Sequence, residues 1–287
     1  MSEEQKLLRM DSPWTWLAAA PDESIPLDQA ALLIARDEYP QLDVADYLRR
    51  LRLLEADLHE RVHAQSLPDE PLTRIVALNN YLFDDQGFVG ESHDYYDPRN
   101  SYLSDVLDRR RGIPISLSVL YVLLARSLGL AAEGVSFPGH FLVRLPVEDG
   151  VLVLDPYHRG RSLGTEELRQ RAWSVQSGER PDDEALIDLL EPSDNRAILA
   201  RMLRNLKSIY VDQQDWDRAL RVADRLVTLV GSAEDWRDRG LLYRAIGADA
   251  AALHDFQRYI ELSPGAAEDE GTRELIAELA RQPERLH

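Results

Sequence analysis

Residues 112–130 read GIPISLSVLYVLLARSLGL, and this stretch decides the fold of the first part of the chain. Pro114 stands where the first turn of a helix tolerates proline, and Gly129 stands where a helix end favours glycine. The apolar residues between them form a wide stripe at helical spacing, which consists of Leu117, Leu120, Tyr121, Leu124 and Leu128. The stretch therefore predicts a helix at the centre of a hydrophobic core.

Short strands are predicted directly after this helix. One is the run AEGVSF, and two more lie in the run GHFLVRLPVEDGVLVLDP at 139–156. If Phe141–Leu145 pairs with Gly150–Leu154 across the turn PVED, His140 lies opposite Asp155. Cross-strand neighbours have Cβ atoms about 4.5–5.5 Å apart, so these two side chains are expected to reach each other. Helices followed by short strands predict an α+β domain.

The residues before position 112 carry helical spacing of apolar side chains in four segments, which are 25–40, 43–64, 71–87 and 102–112. The polar and aromatic run ESHDYYDPRNSY lies between the third and fourth segments. It predicts a loop in which Asp97 and Pro98 make a turn. The alternative is that His93 and the aromatic residues of this loop form the rim of a pocket.

An internal repeat marks the C-terminal part of the chain. Segment 203–231 matches the segment that begins 33 residues further on, at Trp236. The matched pairs are Tyr210 with Tyr243, Ala219 with Ala252, Leu226 with Tyr259 and Gly231 with Pro264. Small residues at these spacings let two antiparallel helices approach closely, and aromatic residues fill the space between them. This pattern is typical of tetratricopeptide repeats.

The two patterns divide the chain into two expected domains. An α+β domain is expected at 1–185, and an all-α domain with two repeats is expected at 192–287. The polar run SGERPDDEA at 177–185 is the predicted junction. Repeat arrays usually need three units to bury a continuous core, so the two repeats are expected to pack against the helix EALIDLL or against the N-terminal domain.

The composition excludes several classes of function. The chain has 287 residues, a formal net charge of −18 and no cysteine. Without cysteine there is no disulfide, thiolate metal site or thiol nucleophile. The negative charge repels phosphate backbones, so no nucleic-acid partner is expected. No apolar run predicts a membrane span and the N-terminus lacks a secretory pattern, so a cytoplasmic protein is expected.

The run RNSYLSDVLDRRRGIPISLSVLYVLLARSLGLAAEGVSFPGHFLVRL, followed by VLDPYHRG, resembles the transglutaminase-like core of the bacterial SirB-one type family. That family joins such a core to C-terminal tetratricopeptide repeats. The resemblance covers nearly the whole chain, and its most specific pieces are GIPISLSVLY and PGHFLVR. It implies a papain-like α+β core followed by an all-α repeat domain.

The resemblance also implies positions for catalytic residues. In the wider superfamily a cysteine begins the central helix, and a histidine and an aspartate follow on adjacent strands. The histidine maps onto His140 and the aspartate onto Asp155, and the cysteine is expected near Pro114–Ser116. No cysteine is present there or elsewhere in the sequence. A competent transglutaminase is therefore not expected.

Ser116 is the alternative nucleophile. A serine hydroxyl has a high pKa, so it depends on a well-placed base and on an oxyanion hole. His140 can serve as that base, and Asp155 can orient the imidazole. The competing interpretation is that Ser116 is an ordinary first-turn residue and that His140 and Asp155 form a structural hydrogen bond.

Histidines elsewhere raise the question of a metal site. His158 follows Asp155 by three residues, so His140, Asp155 and His158 could form a metal site with nitrogen and oxygen ligands. His59 and His63 stand four residues apart on one helix face. Neither set matches a tight metal motif, and no phosphate-binding glycine loop occurs, so neither a metal nor a cofactor is expected.

These observations support two hypotheses of function. The first is a cytoplasmic protein-interaction or regulatory protein that binds a protein or peptide partner through its repeats, with no nucleic acid and no membrane as partner. The second is an amide or ester hydrolase that uses Ser116, His140 and Asp155. A buried His140 without a solvent path would argue against the second.

Overall fold

The computed structural model describes residues 7, 12–64, 70–148, 150–175, 180–265 and 270–281. The chain forms two compact units. The first is built mainly of Pro21–Met202, and the second combines the residues from 12 to Ala20 with those from Leu203 onward. Part of the predicted junction at 177–185 lies outside the described residues.

The first unit contains the predicted helices and also a helix at Thr165–Val175 that the sequence pattern did not predict. They are α2 (Leu27–Glu38), α3 (Val44–Ala64), α4 (Pro71–Asn79), α5 (Leu103–Arg109), α6 (Pro114–Ser127), α7 (Thr165–Val175) and α8 (Asp183–Leu189). A π-helical turn, Asn80–Asp85, continues α4. Helix α6 is the predicted central helix, and this prediction is confirmed because nearly all of its side chains are buried. It packs against α3, α4 and α5 and against the sheet.

The sheet of the first unit has four antiparallel strands in chain order, and a small parallel pair lies apart from it. The sheet strands are β3 (Glu133–Val135), β4 (Leu142–Val147), β5 (Gly150–Asp155) and β6 (Arg161–Ser162), and the parallel pair is β1 (Val89–Gly90) with β2 (Arg111–Gly112). Helices and an antiparallel sheet share one core in this unit, which confirms the α+β prediction.

The predicted register of the hairpin is wrong by two residues. Val143, not Phe141, pairs with Leu154, because Pro146 and Val147 belong to the ladder and Val147 pairs with Gly150. The turn is therefore shorter than predicted, and His140 precedes β4 by two residues and is not directly opposite Asp155. A shift by two residues keeps every side chain on its predicted face of the sheet, because the side-chain period of a strand is two.

The second unit is built of helices, as the repeat pattern predicts. They are α1 (Pro13–Ala19), the end of α9 (Asn195–Asp212), α10 (Trp216–Leu229), α11 (Ala233–Ala245), α12 (Asp249–Leu262) and α13 (Glu270–Arg281). A Cβ at Gly240 on α11 would lie 3.3 Å from the Phe256 ring on α12. Ala252 is fully buried beside that ring. The small residues thus allow the close helix approach that the repeat pattern requires.

Helix α1 is part of the second unit and not of the first. It packs against α10, where the guanidinium carbon of Arg225 lies 5.4 Å from the ring centre of Trp14. Leu17 of the same helix is fully buried. The repeats therefore pack against α1, and the helix EALIDLL (α8), one of the predicted supports, belongs to the first unit. The division of the chain differs from the expected one at 1–185 and 192–287. No helix in the described part of the chain has the length and apolar character to cross a bilayer.

Candidate functional site

His140 occupies a fixed position at the start of the sheet. Gly139 before it has φ +66, a left-handed conformation that favours glycine, and the backbone N–H of His140 donates to the Phe137 carbonyl at 3.0 Å. This turn directs the His140 side chain toward the end of β5. The imidazole is 14% exposed, so solvent still reaches it.

Asp155 is the centre of the site. It ends β5, and its side chain is fully buried. One carboxylate oxygen, Oδ1, lies 2.9 Å from His140 Nε2, and the other, Oδ2, lies 2.8 Å from His158 Nδ1. The carboxylate also accepts the backbone N–H of His158, which caps the 3-10 turn Pro156–His158. Asp155 therefore holds two imidazoles by one ring nitrogen each.

Arg171 on α7 completes this network. Its Nη1 lies 2.9 Å from Asp155 Oδ2, and its other guanidinium nitrogens bond Glu167. Glu167 is bonded in turn by Arg161 on β6. No motif in the sequence indicated Arg171, because its spacing from Glu167 predicts only a helix-surface ion pair.

The ionisation of Asp155 follows from these contacts. Burial raises its pKa, but the hydrogen bonds and charges of His140 and His158 outweigh burial and hold the pKa well below its usual range. The group is therefore a carboxylate at neutral pH. A carboxylate at Nε2 favours the His140 tautomer with its proton on Nε2, which leaves Nδ1 as the nitrogen able to accept a proton.

The contacts of His140, Asp155 and His158 show whether this site fits a metal ion. The ligand atoms of His140, Asp155 and His158 all lie within 4.8 Å of one another. However, the Arg171 guanidinium occupies the same Asp155 oxygen that a cation would need, and the short hydrogen bonds to both histidines satisfy the carboxylate. The donor set therefore fits a hydrogen-bonded network better than a metal site. In the described part of the chain, His59 and His63 belong to no group of three or more potential ligands.

Ser116 is held in a different set of hydrogen bonds. It is fully buried in the first turn of α6. Its Oγ donates to the Asn100 carbonyl at 2.6 Å and accepts the Ile113 N–H at 3.0 Å. No hydrogen bond joins it to His140 in the described structure. The structure thus brings His140 and Asp155 together, and it gives Ser116 a helix-capping contact instead of a contact with the imidazole.

A second serine of α6 approaches the site. Ser118, which the sequence interpretation did not single out, is also fully buried. Its Oγ donates to the Phe141 carbonyl at 3.4 Å, beside His140. This contact links the central helix to the start of β4. Nothing in the sequence distinguishes Ser118 from any other serine in a buried helix.

The aromatic loop before α5 also reaches the site. The ring centres of His140 and Tyr157 lie 5.9 Å apart, and those of Tyr157 and Tyr95 lie 6.4 Å apart. The Tyr157 hydroxyl donates to the Glu91 carbonyl at 2.7 Å. Asp97 caps the predicted turn by accepting the Arg99 N–H. The loop thus provides both the predicted turn and an aromatic neighbour of the site.

Comparison with known families assigns both parts of the chain. The model of the transglutaminase-like superfamily matches residues 45–204, and a tetratricopeptide repeat model matches 206–281. The chain belongs to the transglutaminase-like superfamily, and it carries tetratricopeptide repeats after that core. Both the predicted fold class and the predicted family resemblance are confirmed.

Curated relatives match this chain over nearly their full length. A UPF0162 protein of Xylella fastidiosa (strain Temecula1) is 47% identical over 285 residues, which cover 99% of each chain. A UPF0162 protein of Pseudomonas aeruginosa is 32% identical and covers 94% of this chain and 97% of its own. Protein SirB1 of Salmonella typhimurium is 28% identical over 88% of this chain and 91% of its own.

Proposed function

We propose that the protein is a cytoplasmic protein-interaction or regulatory protein whose repeat helices bind a segment of a partner protein. The observation on which this proposal rests is that Leu241, an exposed apolar residue of α11, lies between two ion pairs that join α11 to other helices. Tetratricopeptide repeats serve in general as protein-binding modules, and the match at 206–281 supports this class of function.

The proposed binding face lies on α9, α11 and α13. Lys207 of α9 pairs with Asp238 of α11, and Arg244 of α11 pairs with Glu278 of α13. These pairs put the three helices side by side. Leu241 stands on α11 between Asp238 and Arg244, and it is 45% exposed. Residues three apart on a helix share a face, so Leu241 lies in the middle of this surface.

The charge of the chain favours one kind of partner. The formal net charge of −18 attracts basic segments at long range and repels acidic ones. We therefore expect an amphipathic segment with a basic side and an apolar side chain that contacts Leu241. An apolar anchor of this kind supplies most of the affinity, and the charges set the association rate and the salt dependence.

The His140–Asp155 pair has a supporting role in this proposal. The papain-like core keeps the base and its orienting carboxylate but has no thiol nucleophile. The hydrogen bonds from His158 and Arg171 tie β5, the following turn and α7 to one carboxylate. We propose that the pair fixes this corner of the core and that partner binding does not depend on His140.

Photo-crosslinking tests the proposed binding face. The full chain, with a photo-reactive residue at position 241, is irradiated in a bacterial extract, and cross-linked proteins are identified by mass spectrometry. The proposal expects one dominant partner that Leu241→Asp no longer captures in a pull-down and that His140→Ala still captures.

The matched control uses an exposed leucine on another helix. Leu262 on α12 is 47% exposed, and Leu262→Asp adds the same charge at an equally exposed leucine. It is expected to leave capture unchanged. Equal capture by Leu241→Asp and wild type, or equal loss with Leu262→Asp, would contradict the proposed face.

The second candidate is an amide or ester hydrolase that uses Ser116, His140 and Asp155. The hydrogen-bonded His140–Asp155 pair favours it, and the hydrogen bond of Ser116 to Asn100 argues for a structural serine. Turnover of a chromogenic ester is measured for wild type, Ser116→Ala and the control Ser118→Ala. A loss of activity confined to Ser116→Ala, in a folded protein, would support the hydrolase, and wild-type protein without turnover would eliminate it for esters.

A further inference from the structure

A cavity of the core unit shares no residue with the His140–Asp155 site. It has a volume of 340 Å³, which is within the range of small-molecule pockets. Its lining combines cationic, polar and apolar side chains, which are Arg50, Leu53, Leu54, Asp57, Tyr81, Gln86, Leu107 and Arg110.

Arg110 holds an unusual position in this lining. It follows the end of α5 with φ +58, a left-handed conformation in which glycine is the usual residue. Its backbone is fixed on both sides, because its N–H donates to Val106 and its carbonyl accepts from Val89. A non-glycine residue held in this region is often found at a functional site.

The Arg110 guanidinium has an unused donor. Its Nη1 is buried and has no hydrogen-bond partner among the described residues. The guanidinium carbon lies 4.5 Å from the ring centre of Phe88, so one face of the group is packed on an aromatic ring. Packing on Phe88 orients the group but leaves that donor without an acceptor. No described residue accepts from this donor, so a bound acceptor would satisfy it.

The charges around the cavity compensate the charge of Arg110 only in part. Burial and the charge of Arg50 lower the pKa of Arg110, and Tyr81 and Asp108 offset only part of this effect. Two carboxylates lie nearby, but each has other partners. Asp108 pairs with Arg50 and accepts the Tyr47 hydroxyl, and Asp57 accepts from Gln86. Asp108 attracts Arg110 at a distance, but no described carboxylate accepts a hydrogen bond from its Nη1, so an added anion at Arg110 would supply that bond.

We propose that this cavity binds a small organic anion whose carboxylate pairs with Arg110 and whose short apolar body lies against Leu53, Leu54 and Leu107. A planar guanidinium matches a carboxylate in a two-point hydrogen bond, which a spherical ammonium group cannot make. Leu53 is 68% exposed, so an apolar ligand body would cover a side chain that otherwise meets water. The size of the cavity fits a ligand of a few carbon atoms.

Binding is tested on the full chain by NMR titration with three probes, which are acetate, butyrate and inorganic phosphate. Butyrate is expected to bind at least three-fold more tightly than acetate, because its tail reaches the leucines. Backbone amide shifts of the wild-type protein are expected to cluster at Leu53, Leu54, Gln86 and Arg110. Tighter binding of phosphate than of butyrate, absence of saturable shifts, or shifts centred elsewhere would overturn the proposal.

Two variants and a control test the role of Arg110. Arg110→Met is expected to weaken butyrate binding at least ten-fold, and Arg110→Lys is expected to recover only part of it because the two-point contact is lost. Arg49→Met is the control, since Arg49 lies on α3 next to Arg50, pairs with Asp46 and does not line the cavity. Unchanged binding in Arg110→Met would overturn the proposal, and the wild-type shift map decides the outcome if that variant does not fold.

Discussion

His140 Nε2 lies 2.9 Å from Asp155 Oδ1, although the two residues are not opposite each other in the hairpin. Their contact is diagonal, because His140 belongs to the turn before β4 and Asp155 ends β5. Diagonal neighbours in antiparallel strands are within reach of long side chains. The imidazole spans this distance, so the predicted contact between His140 and Asp155 forms although the observed register differs from the predicted one by two residues.

Replacing Asp155 with asparagine is expected to destabilise the core unit strongly. The substitution removes the buried negative charge that His140, His158 and Arg171 share. Breaking a buried ion pair typically costs about 3–5 kcal/mol, and we expect a loss near the lower figure because Arg171 is partly exposed. Urea unfolding followed by circular dichroism measures the change. Glu166→Gln is the control, since Glu166 is an exposed ion-pair residue that should cost ~0–1 kcal/mol.

Asp155 also makes stability depend on pH in one direction. The pKa of Asp155 in the folded protein lies below its ordinary value of 3.8, so the unfolded chain takes up this proton first as the pH falls. The contribution is complete above that ordinary value and is lost as the pH falls toward the folded pKa. Thermal unfolding between pH 7 and pH ~3 should show a steeper loss for wild type than for Asp155→Asn. Parallel curves would contradict this assignment.

Ser116→Ala is expected to lower stability whether or not the serine is a nucleophile. The substitution leaves the Ile113 N–H and the Asn100 carbonyl without their buried partner. Such losses cost about 1–3 kcal/mol. The free energy of unfolding is compared with that of Ser127→Ala, which removes a partly buried hydroxyl at the other end of α6. Equal and small effects would show that the capping contact of Ser116 contributes little.

Gly240→Ala is expected to destabilise the repeat unit, although alanine favours helix more than glycine does. The added Cβ would lie 3.3 Å from the Phe256 ring, so the ring or its helix would have to shift by a few tenths of an ångström in a buried contact. Overpacking of this kind costs about 1–3 kcal/mol. The double variant Gly240→Ala with Phe256→Leu should be less destabilised than the sum of the two single changes. A stabilised single variant would show that this shift occurs without cost.

The sequence predicts the helices that have a local apolar pattern. It does not predict contacts between residues that are distant in sequence. Helix α6 and the repeat helices follow from apolar spacing within a few turns. The hairpin register depends on the length of the turn. The alternation of apolar and polar side chains does not fix it, because registers that differ by two residues place the same side chains on the same face. The sequence does not indicate Arg171 or Arg110, because each contacts a residue on another element. Arg171 bonds Asp155, and Arg110 packs on Phe88. The Ser116 contact with Asn100 joins residues 16 apart and is not visible in the helix pattern.

The packing of α1 against α10 has a consequence for synthesis and dissection of the chain. The ribosome makes Trp14 and Leu17 long before it makes the surface that buries them. At ~5–20 residues per second, about 200 intervening residues take on the order of 10–40 seconds. During that time Trp14 and Leu17 lack the α10 surface against which α1 packs in the folded chain. For the same reason, a fragment cut between the two family matches would separate α1 from its partner.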